Sequence, residues 1–335
     1  MKKRVISAIV FGLIFFPAVY FGGMNTHESY FGFIYFLAFT LFCGYVGTFE
    51  LMNMFYKKSQ NLKVMRFIVP VFSCILISII HITMSIHFES ISLMINPDSI
   101  RTMAMTSSGM IFAGFGVYAL LFLGMYLLFN LIFLLFPIFK KDGSAIDAVA
   151  CITSLLYGGI LLGFAFAIEY LFVNHERGWK LFAYVYSIVC FTDIFAYVLG
   201  SKFGKHKLCP TISPKKSVEG AVFGGLIGAV MGTLVYCLCF MIGHNYASYA
   251  IWKIILLVLG IFVISVIISC ISQLGDLVAS KFKRTYEIKD FGNIMPGHGG
   301  VMDRFDSFIL SGSFTFVLYI ILLLCFAWRI IVWQI

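Results

Sequence analysis

Long apolar runs broken by short polar stretches dominate this chain. A helix needs about 20 mostly apolar residues to cross a bilayer. By that measure the runs predict about nine spanning helices, over 5–23, 30–55, 67–87, 110–138, 146–173, 181–200, 220–243, 249–274 and 307–335. The period-two alternation of a lipid-facing barrel is absent from them. The pattern therefore predicts an all-α polytopic integral membrane protein.

Charge adds an orientation. Only 12% of the 335 residues are charged while 61% are hydrophobic, so an ordinary soluble domain is excluded. With Lys2, Lys3 and Arg4 placed in the cytoplasm and nine helices alternating sides, 19 of the 24 Lys and Arg residues fall on the cytoplasmic side. That asymmetry is the one positive-inside insertion produces. It predicts a cytoplasmic N-terminus and a C-terminus on the opposite side. The opening KKRVISAIVFGLIFF resembles a secretory signal, but no small-residue cleavage site follows, so it is expected to stay as the first helix. Nine scattered cysteines form no CxxC pair and read as buried apolar residues.

The chain changes character along its length. Residues 1–180 are hydrophobic spans joined mostly by short loops, with one longer outer loop at 88–108 that carries no motif. Residues 181–335 form a C-terminal region whose two cytoplasmic loops, 201–218 and 276–306, collect basic residues, glycines and prolines. No internal repeat stands out, which weakens a transporter built from inverted halves. Chemistry is expected in the two loops.

Carboxylates come first. Asp276 and Ser280 are four apart and would share one face if the preceding helix continues; Asp303 and Asp306 are three apart where the last span begins. Such oxygens suit one or two Mg²⁺-like ions, although any one Asp alone reads more readily as a solvated helix cap. Between the pairs, Gly297, Gly299 and Gly300 permit close backbone approach. The freed N–H groups, or those of the following helix N-terminus, suit phosphate oxygens. Lys283, Arg284, Lys289 and Arg304 would add positive charge, and His298 reads more readily as a structural than a catalytic group. In the other loop, Lys215 and Lys216 sit in SPKKS and would hold a nucleotide or lipid phosphate, or simply attract headgroups. Asp193 falls inside a predicted span, where an ionisable group faces a partner or water. Glu50 and Glu169 also lie near span ends and receive no role.

The stretch SKFKRTYEIKDFGNIMPGHGGVMDRFD, Ser280 to Asp306, resembles the signature of the phosphatidate cytidylyltransferase family, S-x-x-K-R-x4-K-D-x-G-x3-P-x-H-G-G-x-x-D-R-x-D. The upstream segment from Asp193 through SPKKS is similar to that family too, while the N-terminal half matches only in hydrophobicity. Met295 stands where the family usually has Leu, Ile or Phe, which keeps an apolar contact. The resemblance implies a reaction of phosphatidate with CTP to give CDP-diacylglycerol and pyrophosphate, in a bacterial plasma membrane with the site facing the cytoplasm. It implies Asp276, Ser280, Asp303 and Asp306 as metal residues for Mg²⁺ in a two-metal site, with Asp276, Asp303, Asp306, Lys283 and Arg304 catalytic. Asp193, Lys215, Lys216, Arg284, His298, Gly299 and Gly300 would bind substrate. The partners expected are CTP, phosphatidate in the bilayer and a second copy of the chain, with no nucleic acid. The rival readings are a CTP-dependent polyprenol kinase, a cytidylyltransferase for another lipid phosphate, and an ion transporter.

Overall fold

The computed structural model describes residues 2–22, 31–93, 108–140, 142–171, 178–242, 250–297 and 299–333. His298 and most of the outer loop 88–108 lie outside the described residues. The helices are α1 (Lys2–Gly22), α2 (Phe31–Tyr56), α3 (Met65–Leu93), α4 (Ser108–Leu135), α5 (Ala145–Ser154), α6 (Leu162–Ala167), α7 (Gly178–Phe203), α8 (Val218–Tyr236), α9 (Ile251–Thr285) and α10 (Met302–Trp333). A π-helical stretch, Leu155–Leu161, joins α5 to α6, so these form one broken span. Every predicted span corresponds to helix. Among the described residues eight are long and apolar enough to cross a membrane, and α1 contributes the shorter apolar stretch Ile9–Gly22. The protein is an all-α polytopic membrane protein. Among the described residues it also carries a small antiparallel hairpin of β1 (Lys207–Cys209) and β2 (Ser213–Ser217).

The chain divides into two compact units. The first holds Met1–Gly178, Asp290–Arg304 and Phe316–Ile335; the second holds Trp179–Lys289 and Phe305–Thr315. In the first unit the broken span is the most enclosed, with 72% of its window buried, and Val117–Phe139 is the least, with 17%. Small residues make that enclosure feasible. A Cβ on Gly159 would meet Ser73 Oγ at 3.0 Å, and one on Gly163 would meet Ile80 Cδ1 at 3.0 Å, so the glycines ease the close approach of α3. Around them Phe36, Phe39, Phe166 and Tyr170 interlock, mostly edge to face, at centroid distances of 5.9–6.1 Å. The outward apolar side chains of α4, such as Leu120, Leu127 and Leu134, are exposed, as a lipid-facing helix requires.

In the second unit a glycine stripe at i, i+4 spacing, Gly220, Gly224, Gly228 and Gly232, lines α8. Each glycine lies against α7, so that any added Cβ would strike Ala196, Thr192 or Ile188. Without a hydrophobic drive between helices in lipid, such close backbone contact is what holds them. Hydroxyls then join α7 and α8 to α9: Thr192 Oγ1 to Ser269 Oγ at 2.9 Å, Tyr184 OH to Ser265 Oγ at 2.7 Å, and Thr233 Oγ1 to Ser265 Oγ at 3.3 Å. Gly275 of α9 sits under α10, where a Cβ would come 2.9 Å from the Asp306 carbonyl oxygen. That missing side chain brings the two polar helix ends of this unit together.

Candidate active site

Helix α9 does not stop where its apolar run ends. It continues to Thr285, and the continuation puts Asp276 and Ser280 one turn apart, with Ser280 Oγ donating to Asp276 Oδ1 at 3.3 Å. The other oxygen of Asp276, Oδ2, is ion-paired with Lys216. Lys216 arrives from the hairpin. Successive strand residues point to opposite faces, and so Lys215 is exposed while Lys216 turns inward to the carboxylate.

Several bonds hold the hairpin in place. Ser217 Oγ accepts from Gly220 N at 3.2 Å and caps α8. Glu219 accepts from the backbone N–H groups of Lys205 and His206 at 3.1 and 3.2 Å, and its Oε1 lies 2.6 Å from His206 Nδ1. Arg284 donates from Nε to the Ile212 carbonyl at 3.3 Å, tying the end of α9 to the hairpin turn. Beyond it, burial raises the Tyr286 phenol above its usual range.

The second half of the cluster comes from α10. Asp306 Oδ2 lies 3.4 Å from Lys283 Nζ, a pair whose side chains are only 12% and 14% exposed. Asp306 Oδ1 accepts from Ser307 N at 2.9 Å, and Ser307 Oγ donates to Asp193 Oδ2 at 3.1 Å. Asp193 keeps exposed surface and feels the charges of Asp276, Asp306 and Lys216. Three carboxylates and two ammonium groups thus share this region of the second unit, with Ser280 and Ser307 beside them.

Among the described residues no three His, Cys, Asp or Glu side chains close on one point as a finished metal site. The donors nonetheless fit a hard cation, since they are carboxylate and hydroxyl oxygens. Asp276 and Asp306 each already face a positive charge, carried by a lysine. Asp276, Ser280 and Asp306 are the residues that would hold the ion.

The remaining predicted residues lie in the first unit, on the glycine-rich loop and the first turn of α10. Gly297 and Gly299 adopt φ of +81° and +83°, a region where a side chain would be strained, which explains glycine there. Met295 bridges to Gly299 as the loop doubles back. Asp303 Oδ2 accepts from Phe291 N at 2.8 Å and Gly300 N at 3.0 Å. The next two amides go to a residue that received no role from sequence. Glu50 of α2, 3% exposed, accepts from Val301 N through Oε1 at 3.1 Å and from Met302 N through Oε2 at 2.9 Å. The helix N-terminus expected to meet phosphate is therefore occupied by an internal carboxylate, and Gly300 N is likewise committed to Asp303. Arg304 is exposed. The signal for Glu50 was an acid within a long apolar segment, which must find donors if it is buried.

The model of the cytidylyltransferase family matches residues 2–322. A phosphatidate cytidylyltransferase of Staphylococcus saprophyticus is 42% identical over 170 residues, which is 51% of this chain and 58% of that protein. Proteins of the same name from Staphylococcus haemolyticus and Staphylococcus aureus are each 41% identical over the same shares. The matched segment spans little more than half the length of these relatives. The family match is wider, running from α1 into α10 and so taking in both the acid and lysine cluster and the glycine-rich loop; the chain belongs to the cytidylyltransferase family.

Proposed function

We propose that this protein is a membrane-embedded phosphatidate cytidylyltransferase, acting in a bacterial plasma membrane with its site toward the cytoplasm. The observation that carries this reading is the group of Asp193, Asp276 and Asp306 interleaved with Lys216 and Lys283 at the polar ends of membrane helices. The names of the staphylococcal relatives support the same substrate pair. The basic residues gathered in the loops at that end support a cytoplasmic face.

Both substrates are anions, so their approach must be made electrostatically tolerable. A phosphate oxygen of phosphatidate attacks the α-phosphorus of CTP, the bond from that phosphorus to the bridging oxygen breaks, and pyrophosphate leaves with the electron pair. Phosphatidate is already a charged nucleophile, so no strong base is needed, and His298 is not required as one. A divalent ion, Mg²⁺ in this reading, supplies charge neutralisation and alignment of the phosphates. Asp276, Ser280 and Asp306 would bind it. Lys216 and Lys283 lie beside those carboxylates and would then neutralise phosphate oxygens, each as a mobile point charge on a flexible stem. The apolar helices keep the diacylglycerol portion in the bilayer while the nucleotide comes from water.

The test is a product assay with purified protein in mixed micelles of phosphatidate, supplied with CTP and Mg²⁺, with Asp276→Asn as the matched control. CDP-diacylglycerol and pyrophosphate, lost in the variant, are the expected products. Release of CDP with a phosphorylated lipid would point to a kinase. No consumption of CTP by a folded sample would refute the reading.

A further inference from the structure

Glu50 lies some 250 residues from the loop it holds, on the second helix of the chain. Nothing in the proposed chemistry uses it. Its burial is nevertheless complete enough that each oxygen must be matched, and both are matched by consecutive backbone amides at the start of α10. Those amides belong to the orphan donors of a helix N-terminus, which are normally satisfied by a residue just ahead in sequence. Here the partner comes from another helix.

The surroundings are shaped to this one side chain. A Cβ on Gly292 or on Gly300 would fall on the Glu50 carboxylate. One helical turn away, Gly47 leaves room for Met302, whose Cε would lie 3.1 Å from an added Cβ. Ser7 of α1 donates to the Pro296 carbonyl at 3.2 Å and steadies the far side of the same loop. Asp303 closes the loop from within through Phe291 N and Gly300 N. Four amides, of Phe291, Gly300, Val301 and Met302, are thus locked by two carboxylates.

We propose that Glu50 is a positioning residue for the cytidylyl transfer: by capping α10 from α2 it fixes the glycine-rich loop and the first turn that carries Asp303 and Arg304. This rests on the function proposed above. It acts on the rate of the chemical step rather than on substrate capture, because it aims other groups and touches no substrate. Glutamine at this position offers one acceptor where two are needed and turns an NH₂ group toward an N–H. Expected for Glu50→Gln is a fall in kcat of about thirtyfold, with KM for CTP and phosphatidate changed less than about threefold. Hydrogen exchange of the Gly300–Met302 amides should speed by about fivefold or more, the scale of a lost cap, while α3 peptides exchange as before.

The deciding experiment measures steady-state kinetics and peptide-resolved hydrogen exchange on the full-length Glu50→Gln protein in micelles. Unchanged kcat, or unchanged exchange in the loop, overturns the proposal. So does a rise in KM with kcat intact. Should Glu50→Gln fail to fold, Gly292→Ala displaces the same carboxylate from the loop side: a folded sample with the same loss of kcat and the same local exchange supports the proposal, and wild-type turnover sinks it. A wild-type protein that forms no CDP-lipid would refute the function proposed above alone. The exchange measurement would then still decide whether Glu50 holds the loop.

Discussion

Two sets of carboxylates in this protein are held by different kinds of partner. In the first unit Glu50 and Asp303 accept from backbone amides, whereas in the second unit Asp276 and Asp306 face lysine ammonium groups. A backbone amide cannot leave its partner without unravelling the loop that carries it. A lysine can, since its charge rides on a flexible four-carbon stem. The first set is therefore built into the loop that carries it, and the second, in the function proposed above, has oxygens that a metal could take over from the lysines. Residue type alone does not distinguish them, because both sets are acids at the polar ends of apolar helices.

The most damaging way to probe this difference is Asp276→Asn. It removes a charge from the exchangeable set, and turnover should fall by about a thousandfold while the thermal unfolding midpoint in detergent stays within a few degrees. A collapse of stability instead would mean that Asp276 is architectural too. Next comes Asp303, where substitution can separate the two roles. An asparagine oxygen can still accept from Phe291 and Gly300 N, so Asp303→Asn should keep loop exchange slow yet lose about a hundredfold in kcat if its charge also serves the reaction. Asp303→Ala should lose both. Wild-type activity in Asp303→Asn would confine this residue to architecture and sharpen the contrast.

Smaller effects test the hairpin. Lys216→Met, which leaves Asp276 without its cation, should lower kcat/KM by about thirtyfold and raise the Mg²⁺ concentration dependence in a CTP assay. Its neighbour Lys215 points the other way, is exposed, and should tolerate Lys215→Met within about threefold. Equal losses at the two positions would show that strand alternation does not separate their roles.

How much of this was legible beforehand differs from element to element. The spans were readable because a bilayer demands long apolar stretches, and among the described residues each of these runs falls on helix. Their polar ends were not. Nothing in hydropathy says that α9 runs on to Thr285, since beyond the hydrocarbon the helix is sustained by contacts such as that of Gly275 beneath α10. The hairpin was missed as well, because three- and five-residue strands carry no period long enough to detect. Asp276, Ser280 and Asp306 were singled out through motif spacing, and the fold supplies lysine partners for the two aspartates. Glu50 was passed over, because its donors lie across most of the chain.

The sequence by itself determined the environment and the chemistry on offer: helices long enough for lipid, basic loops between them, and hard oxygen ligands beside lysines and arginines. These follow from local composition and from spacing within one helix or loop, which no distant residue can alter. Only the tertiary structure decided which carboxylates face backbone amides and which face lysines. Glu50 finds its amides 251 and 252 residues away, and Lys216 reaches Asp276 from a separate hairpin. Partnerships between distant segments depend on where glycines let helices touch, and the position of that contact exists only once the chain has folded.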